Sequence, residues 1–176
     1  MKHLKTTLLL LTLFILSHLL NAQSEGLKKI DFFIGEWSIE SVDILPNGTY
    51  QKSKAKSIVK YILDGYAIQD DFLSLDKNNN IVFRGTSIRS YNPRTNKYQI
   101  VWIMPGYKGI TDISAELKDG KLVSTGKGYD YQGDFLERFE YYDIKNDSYK
   151  FKMDRSYDNG KTWIENFGRF TATRIK

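Results

Sequence analysis

The chain has 176 residues, 27% of them charged and 14% aromatic, with a formal net charge of +5. It contains no cysteine, and its two histidines, His3 and His18, both fall within residues 1–22. Beyond residue 22 this excludes an imidazole base, a thiolate, a Ser-His or Cys-His nucleophile, and any zinc or haem held by His or Cys, so neither cofactor nor metal is expected.

The first element in the chain is a targeting segment. Lys2 and Lys5 form a basic start, Thr6 to Leu20 is an apolar run rich in leucine, and Leu20-Asn21-Ala22 offers a cleavage point before Gln23. The run is shorter than the ~20 residues that span a bilayer and is interrupted by Ser17 and His18, which favours cleavage over a stable membrane anchor. Residues 1–22 are therefore read as a signal peptide and 23–176 as one domain, long enough to enclose a core. No cysteine follows the run to carry a lipid, so a periplasmic or extracellular location is expected. Without Lys2 and Lys5, 24 basic residues face 21 acidic ones; a net +3 is too mild to indicate nucleic acid. Nothing in the composition sets an oligomeric state.

From Glu36 onward, aromatic and β-branched residues alternate with polar ones at period two. Ten strands are predicted: Glu36–Ile44, Tyr50–Leu63, Tyr66–Leu75, Ile81–Tyr91, Tyr98–Met104, Ile110–Lys118, Lys121–Tyr129, Phe135–Ile144, Tyr149–Tyr157 and Thr162–Ile175. The intervening segments, among them Pro46-Asn47-Gly48, Asp64-Gly65, Asp119-Gly120 and Asp158-Asn159-Gly160, are rich in residues that accept positive φ. Consecutive hairpins make an antiparallel meander, and ten strands avoid exposed edges by closing into an all-β up-and-down barrel.

Phase assigns the faces. Strand two carries Lys52, Lys54, Lys56 and Lys60 on one side and the smaller Ser53, Ala55, Ser57 and Val59 on the other. Strand seven lines up Leu122, Ser124, Gly126 and Gly128, another small face. Strands five, eight and nine bring bulk: Ile100, Trp102 and Met104; Phe135, Phe139 and Tyr141; Phe151, Met153 and Tyr157. A ring of ten strands is wider than the ~8 that side chains fill easily, so a cavity is expected. The alternating lysines read as a solvated surface that resists edge pairing, with a partner-binding face as the alternative.

Asp31-Phe32-Phe33-Ile34-Gly35-Glu36-Trp37 opens the first strand, and its Gly-x-Trp resembles the N-terminal signature of lipocalins and their calycin relatives. The resemblance implies a short N-terminal helical plug, a tryptophan at the closed end of the barrel, and an arginine from the last strand packed across it. Arg174 is the residue that fits. With the Tyr91-Asn92-Pro93 turn and the late Asp-x-Gly-x-Thr-Trp hairpin, residues 27–176 are similar to a family of uncharacterised exported bacterial calycin-like proteins. The paired cysteines of many lipocalins are missing. So is the histidine of the haem-binding nitrobindin-like branch, and haem binding is therefore not implied.

Ser156-Tyr157-Asp158-Asn159-Gly160-Lys161-Thr162-Trp163 matches the Asp box, S-x-D-x-G-x-T-W, of sialidase propellers. A single copy without a blade repeat reads as a structural turn rather than as glycan chemistry.

Charges on apolar faces carry the sharper expectation. Glu137 shares phase with Phe135, Phe139 and Tyr141, and Arg155 with Phe151, Met153 and Tyr157. A register with Tyr141 opposite Phe151 and Phe139 opposite Met153 sets Glu137 opposite Arg155, near the looped rim. Arg84, in phase with Val82 and Ile88, and Asp71, in phase with Leu73 and Leu75, are weaker inward candidates. The expected ligand-binding set is Arg84, Trp102, Met104, Glu137, Phe139, Tyr141, Phe151, Met153 and Arg155, holding a small hydrophobic or amphipathic molecule. The alternatives are a structural Glu137–Arg155 ion pair, or a cofactor-free acid–base enzyme with Glu137 as acceptor and Tyr141 or Tyr157 as donor. Glycosidase chemistry is weaker still, because only one carboxylate can be placed.

Overall fold

The computed structural model describes residues 25–44, 48–105 and 110–176. The signal segment 1–22 and most of the loop 105–109 lie outside the described residues, as do two of the three residues expected in the turn at 46–48. Ten strands follow in chain order: β1 (Gly35–Ile44), β2 (Tyr50–Ile62), β3 (Ala67–Leu75), β4 (Ile81–Asn92), β5 (Lys97–Ile103), β6 (Ile110–Lys118), β7 (Lys121–Asp130), β8 (Gly133–Tyr142), β9 (Ser148–Ser156) and β10 (Ile164–Arg174). Each pairs antiparallel with the next, and β1 pairs with β10, so the sheet closes into a barrel. No described helix is long and apolar enough to cross a membrane.

The period-two pattern drives the closure. Along β2, Ala55, Ser57 and Val59 are buried while Lys54 and Lys60 stay in solvent, and β4, β6 and β7 repeat the alternation over most of their length. The turns use side chains that tolerate positive φ: Asp64, Asn79, Asn96, Asp119 and Asn159 all adopt it. The ends shift where a turn outcompetes the ladder. β10 begins at Ile164 rather than Thr162, because the Thr162 hydroxyl donates to Asp158 within the preceding turn. β8 stops at Tyr142 rather than Ile144, because Asp143 turns to φ 51°.

A short helix over 25–28 and a 3-10 turn, Asp31–Phe33, close one end. Leu27, Ile30 and Phe33 point into the barrel and are fully buried. The Tyr98 hydroxyl donates to the Gly26 carbonyl at 2.9 Å and ties this plug to β5. Arg174 makes the main clasp. Its guanidinium lies 4.2 Å over the Trp37 ring, while Nη1, Nη2 and Nε donate to the carbonyls of Ile34, Phe32 and Asn146. Trp37 Nε1 donates to the Phe33 carbonyl at 2.7 Å. Gly35 is required on two counts: its φ is +129°, and Arg174 Nη1 occupies the space a Cβ would take. The Gly-x-Trp spacing and the terminal arginine thus form one unit.

Candidate functional site

Above the plug the barrel holds a cavity of about 280 Å³. One wall comes from β8, β9 and β10 and is aromatic: Phe139, Tyr141, Phe151 and Phe170 pack with ring centroids 4.6–6.4 Å apart, Phe151 and Phe170 stacked at 13°. The wall from β2, β3 and β4 is mainly polar, with Ser57, Asp70, Ser87 and Arg89 lining the space beside a single ring, Phe72. Trp102 and Met104 line it from β5 and the residue after it, and Trp102 sits where any side chain at Gly85 would have to go. Bulk on one side therefore depends on its absence on the other.

The β8–β9 register places Tyr141 opposite Phe151, Phe139 opposite Met153 and Glu137 opposite Arg155, as the shared phase requires. Arg155 Nη2 donates to Glu137 Oε2 at 3.1 Å. A third member, absent from the sequence reading, completes the group: Asp130, at the end of β7, accepts from Arg155 Nη1 at 2.9 Å and from the Tyr157 hydroxyl at 2.8 Å. The guanidinium also lies against Phe135 and Phe167, its Cζ 3.9 Å and 4.3 Å from their ring centroids. Both terminal nitrogens of Arg155 are engaged. Burial raises the proton affinity of Glu137, and Arg155 offsets part of that rise. Tyr157 donates to Asp130 instead of Glu137, and Tyr141 lies four positions along β8 at the other end of the cavity, so the donor–acceptor pair of the acid–base alternative is not assembled.

The floor holds a second polar centre. Arg89 Nη2 donates to Asp70 Oδ2 at 2.7 Å, and the Ser57 hydroxyl donates to Asp70 Oδ1. The Arg89 guanidinium lies 4.6 Å from the Phe33 ring of the plug. Burial opposes its charge, and Asp70 more than offsets this, so the guanidinium stays protonated. Burial raises the Tyr141 phenol above its ordinary value, and nearby Arg89 opposes the rise.

Two inward candidates are corrected by one residue each. Arg84 is exposed on the outside of β4, beside Val82 at 62% exposure; the inward residues there are Gly85, Ser87, Arg89 and Tyr91. Asp71 faces outward on β3 and accepts from Gln69 and Thr86, whereas Asp70 faces the cavity. Reading the faces by apolar content fails on this wall, because glycine and serine point inward to make room for rings across the barrel. The usable signal was Ser57, correctly inward on β2. A small polar phase there calls for the same on the strands beside it.

The other expected residues, Trp102, Met104, Glu137, Phe139, Tyr141, Phe151, Met153 and Arg155, all line the cavity. Asp43 joins them near the mouth. Burial raises its carboxyl above the ordinary value, opposed by hydrogen bonds from Ser41 and Ser53. The Asp box is a turn on the rim: Asp158 accepts from the Ser156 hydroxyl and from Thr162 amide and hydroxyl, and Trp163 packs outside under Arg138 at 4.4 Å. Among the described residues no three His, Cys, Asp or Glu side chains come together as a metal site would need.

No protein-family model matches the sequence, and neither does any curated protein. Among solved structures the fold is similar to that of Rv2717c from M. tuberculosis, with a TM-score of 0.63 at 10% identity over 86% of this chain and 98% of that one. It is also similar to the S-type phycobiliprotein lyase CPES from Guillardia theta, with a TM-score of 0.61 at 12% identity over 85% of this chain and 92% of the lyase. At such identities the likeness is one of fold: a closed antiparallel barrel of ten strands.

Proposed function

We propose that this protein holds a small hydrophobic or amphipathic molecule inside its barrel. The observation that carries the reading is the cavity itself: about 280 Å³, floored by the plug, walled by stacked rings on one side and by mainly polar groups on the other. That volume lies near the lower end of the ~300–1,000 Å³ usual for small-molecule sites, so the occupant is small. A ring-lined pocket gains from every apolar atom it shields from water, roughly 25 cal/mol per Å² of surface covered. The acid–base alternative has Glu137 as a buried acceptor but no aligned donor, so binding is the reading the geometry favours.

Titration with the uncharged fluorescent probe N-phenylnaphthylamine tests this. Saturable one-site binding that quenches Trp102 is expected, and loss of binding in Phe151→Asp would place the probe in the cavity. A linear, unsaturated response would overturn the reading. Export belongs to the same proposal, on the strength of Lys2, Lys5 and the leucine run. N-terminal sequencing of the protein from an exported fraction is expected to begin at Gln23; recovery with Met1 in the cytoplasm would refute it.

A further inference from the structure

The two polar centres differ in the donors they have left. At the mouth, Arg155 has both terminal nitrogens on carboxylates and only Nε unmatched, with aromatic rings against its guanidinium. At the floor, Arg89 donates through Nη2 alone; its Nε and Nη1 find no acceptor among the described residues, although the residue is only 2% exposed. Ser87, one inward step along β4, is buried with its hydroxyl equally unpartnered, and both residues line the cavity. A buried donor left unmet is destabilising, and more so when it is charged. Whatever completes this corner brings a hydrogen-bond acceptor.

Charge decides which acceptor. Arg89 and Asp70 already neutralise each other, so an added carboxylate would leave net negative charge in the interior. Toward the mouth, Asp43 and Glu137, with Asp130 behind Arg155, stand against Arg155 and Arg169, so an entering anion meets no net positive charge. A carbonyl oxygen offers lone pairs and brings no charge. Across the cavity stand the stacked rings of Phe151 and Phe170, a surface suited to a flat π-system.

Resting on the binding function proposed above, we propose that the deep end of the barrel is a head-group site for an uncharged carbonyl, borne on a flat apolar molecule that enters carbonyl first. Arg89 donates to its oxygen, Ser87 lies within the same corner, and the aromatic wall packs the ring system.

Calorimetric titration of the purified protein with acetylnaphthalene, naphthoate and ethylnaphthalene, matched in size, tests this. The ketone is expected to bind on the order of ten-fold tighter than the hydrocarbon, with naphthoate weaker than the ketone. The carbonyl stretch of the bound ketone should fall to lower frequency. In the double variant Arg89→Met, Asp70→Leu, which removes both charges together, the ketone preference should vanish while ethylnaphthalene still binds. Should that variant fail to fold, the carbonyl band on the unaltered protein decides alone. Equal affinities with an unshifted band overturn the head-group site and leave the cavity reading standing. Tightest binding by naphthoate overturns the choice of a neutral head. Failure of all three to bind overturns the cavity reading itself.

Discussion

Trp37 is fully buried, hydrogen-bonded through its indole and covered by Arg174. Trp37→Ala should cost about 3–5 kcal/mol in denaturant unfolding, as a large-to-small change in a core that cannot collapse to fill the gap. At the mouth the triad makes the arginine and the glutamate unequal. Arg155→Leu leaves Asp130 and Glu137 buried without a cation and should cost roughly 3–5 kcal/mol, whereas Glu137→Gln leaves Arg155 its bond to Asp130 and should cost less. The pH dependence has a definite sign. Glu137 holds its proton more tightly folded than unfolded, so the native chain gains stability relative to Glu137→Gln as pH falls from neutrality toward 4.5. Paired unfolding curves across that range check it; a difference that grows on raising the pH would contradict the burial argument. At this scale the sequence yielded Glu137 opposite Arg155, because two bulky phases constrain each other across a hairpin. It withheld Asp130, which sits at a strand end where alternation has stopped, and it missed Asp70 and Arg89, whose neighbours are too small to announce an interior.

Among elements, the rim hairpin after β9 is held by one carboxylate. Hydrogen bonds from the Thr162 side chain and amide, and from Ser156, lower the Asp158 pKa to about 2. A lowered carboxyl contributes stability above its ordinary value of 3.8 that is lost as pH falls through about 2, so the turn should persist in mild acid. The Thr162 amide resonance followed by NMR should move near that lower pH; movement near 3.8 would mean the cap is not formed. Strand β4 makes a second test. A Cβ at Gly85 would collide with the Trp102 indole, so Gly85→Ala should displace the ring, shift its fluorescence and weaken probe binding without altering the strand order. Strand order and turn placement were legible in the sequence to within a residue or two, since period-two patterning and Asp/Asn-Gly signals are local. The phase of β3 and β4 was not, because it is set by rings on strands across the barrel.

At the scale of the molecule, the plug seals one end, so exchange with solvent runs through the looped rim. A ligand that binds only the folded form raises the melting temperature by mass action, by about 2.7 kcal/mol of stability at a hundred-fold excess over Kd. The Phe151→Asp variant should show no such rise with N-phenylnaphthylamine; an equal rise in both would place the probe outside the barrel.

The seam between β1 and β10 also sets a clock for the chain. Arg174 bonds carbonyls up to 142 positions upstream, and β1 has no second neighbour until the last strand arrives. A chain without residues 164–176 is an open nine-stranded ribbon with two raw edges and a wet inner face, unable to latch its base. Completion thus waits on residues 164–174, and the nine earlier strands stay open until that segment is in place. Deleting residues 164–176 should leave a product that pairs edge to edge with its own copies, visible as concentration-dependent oligomers in sedimentation.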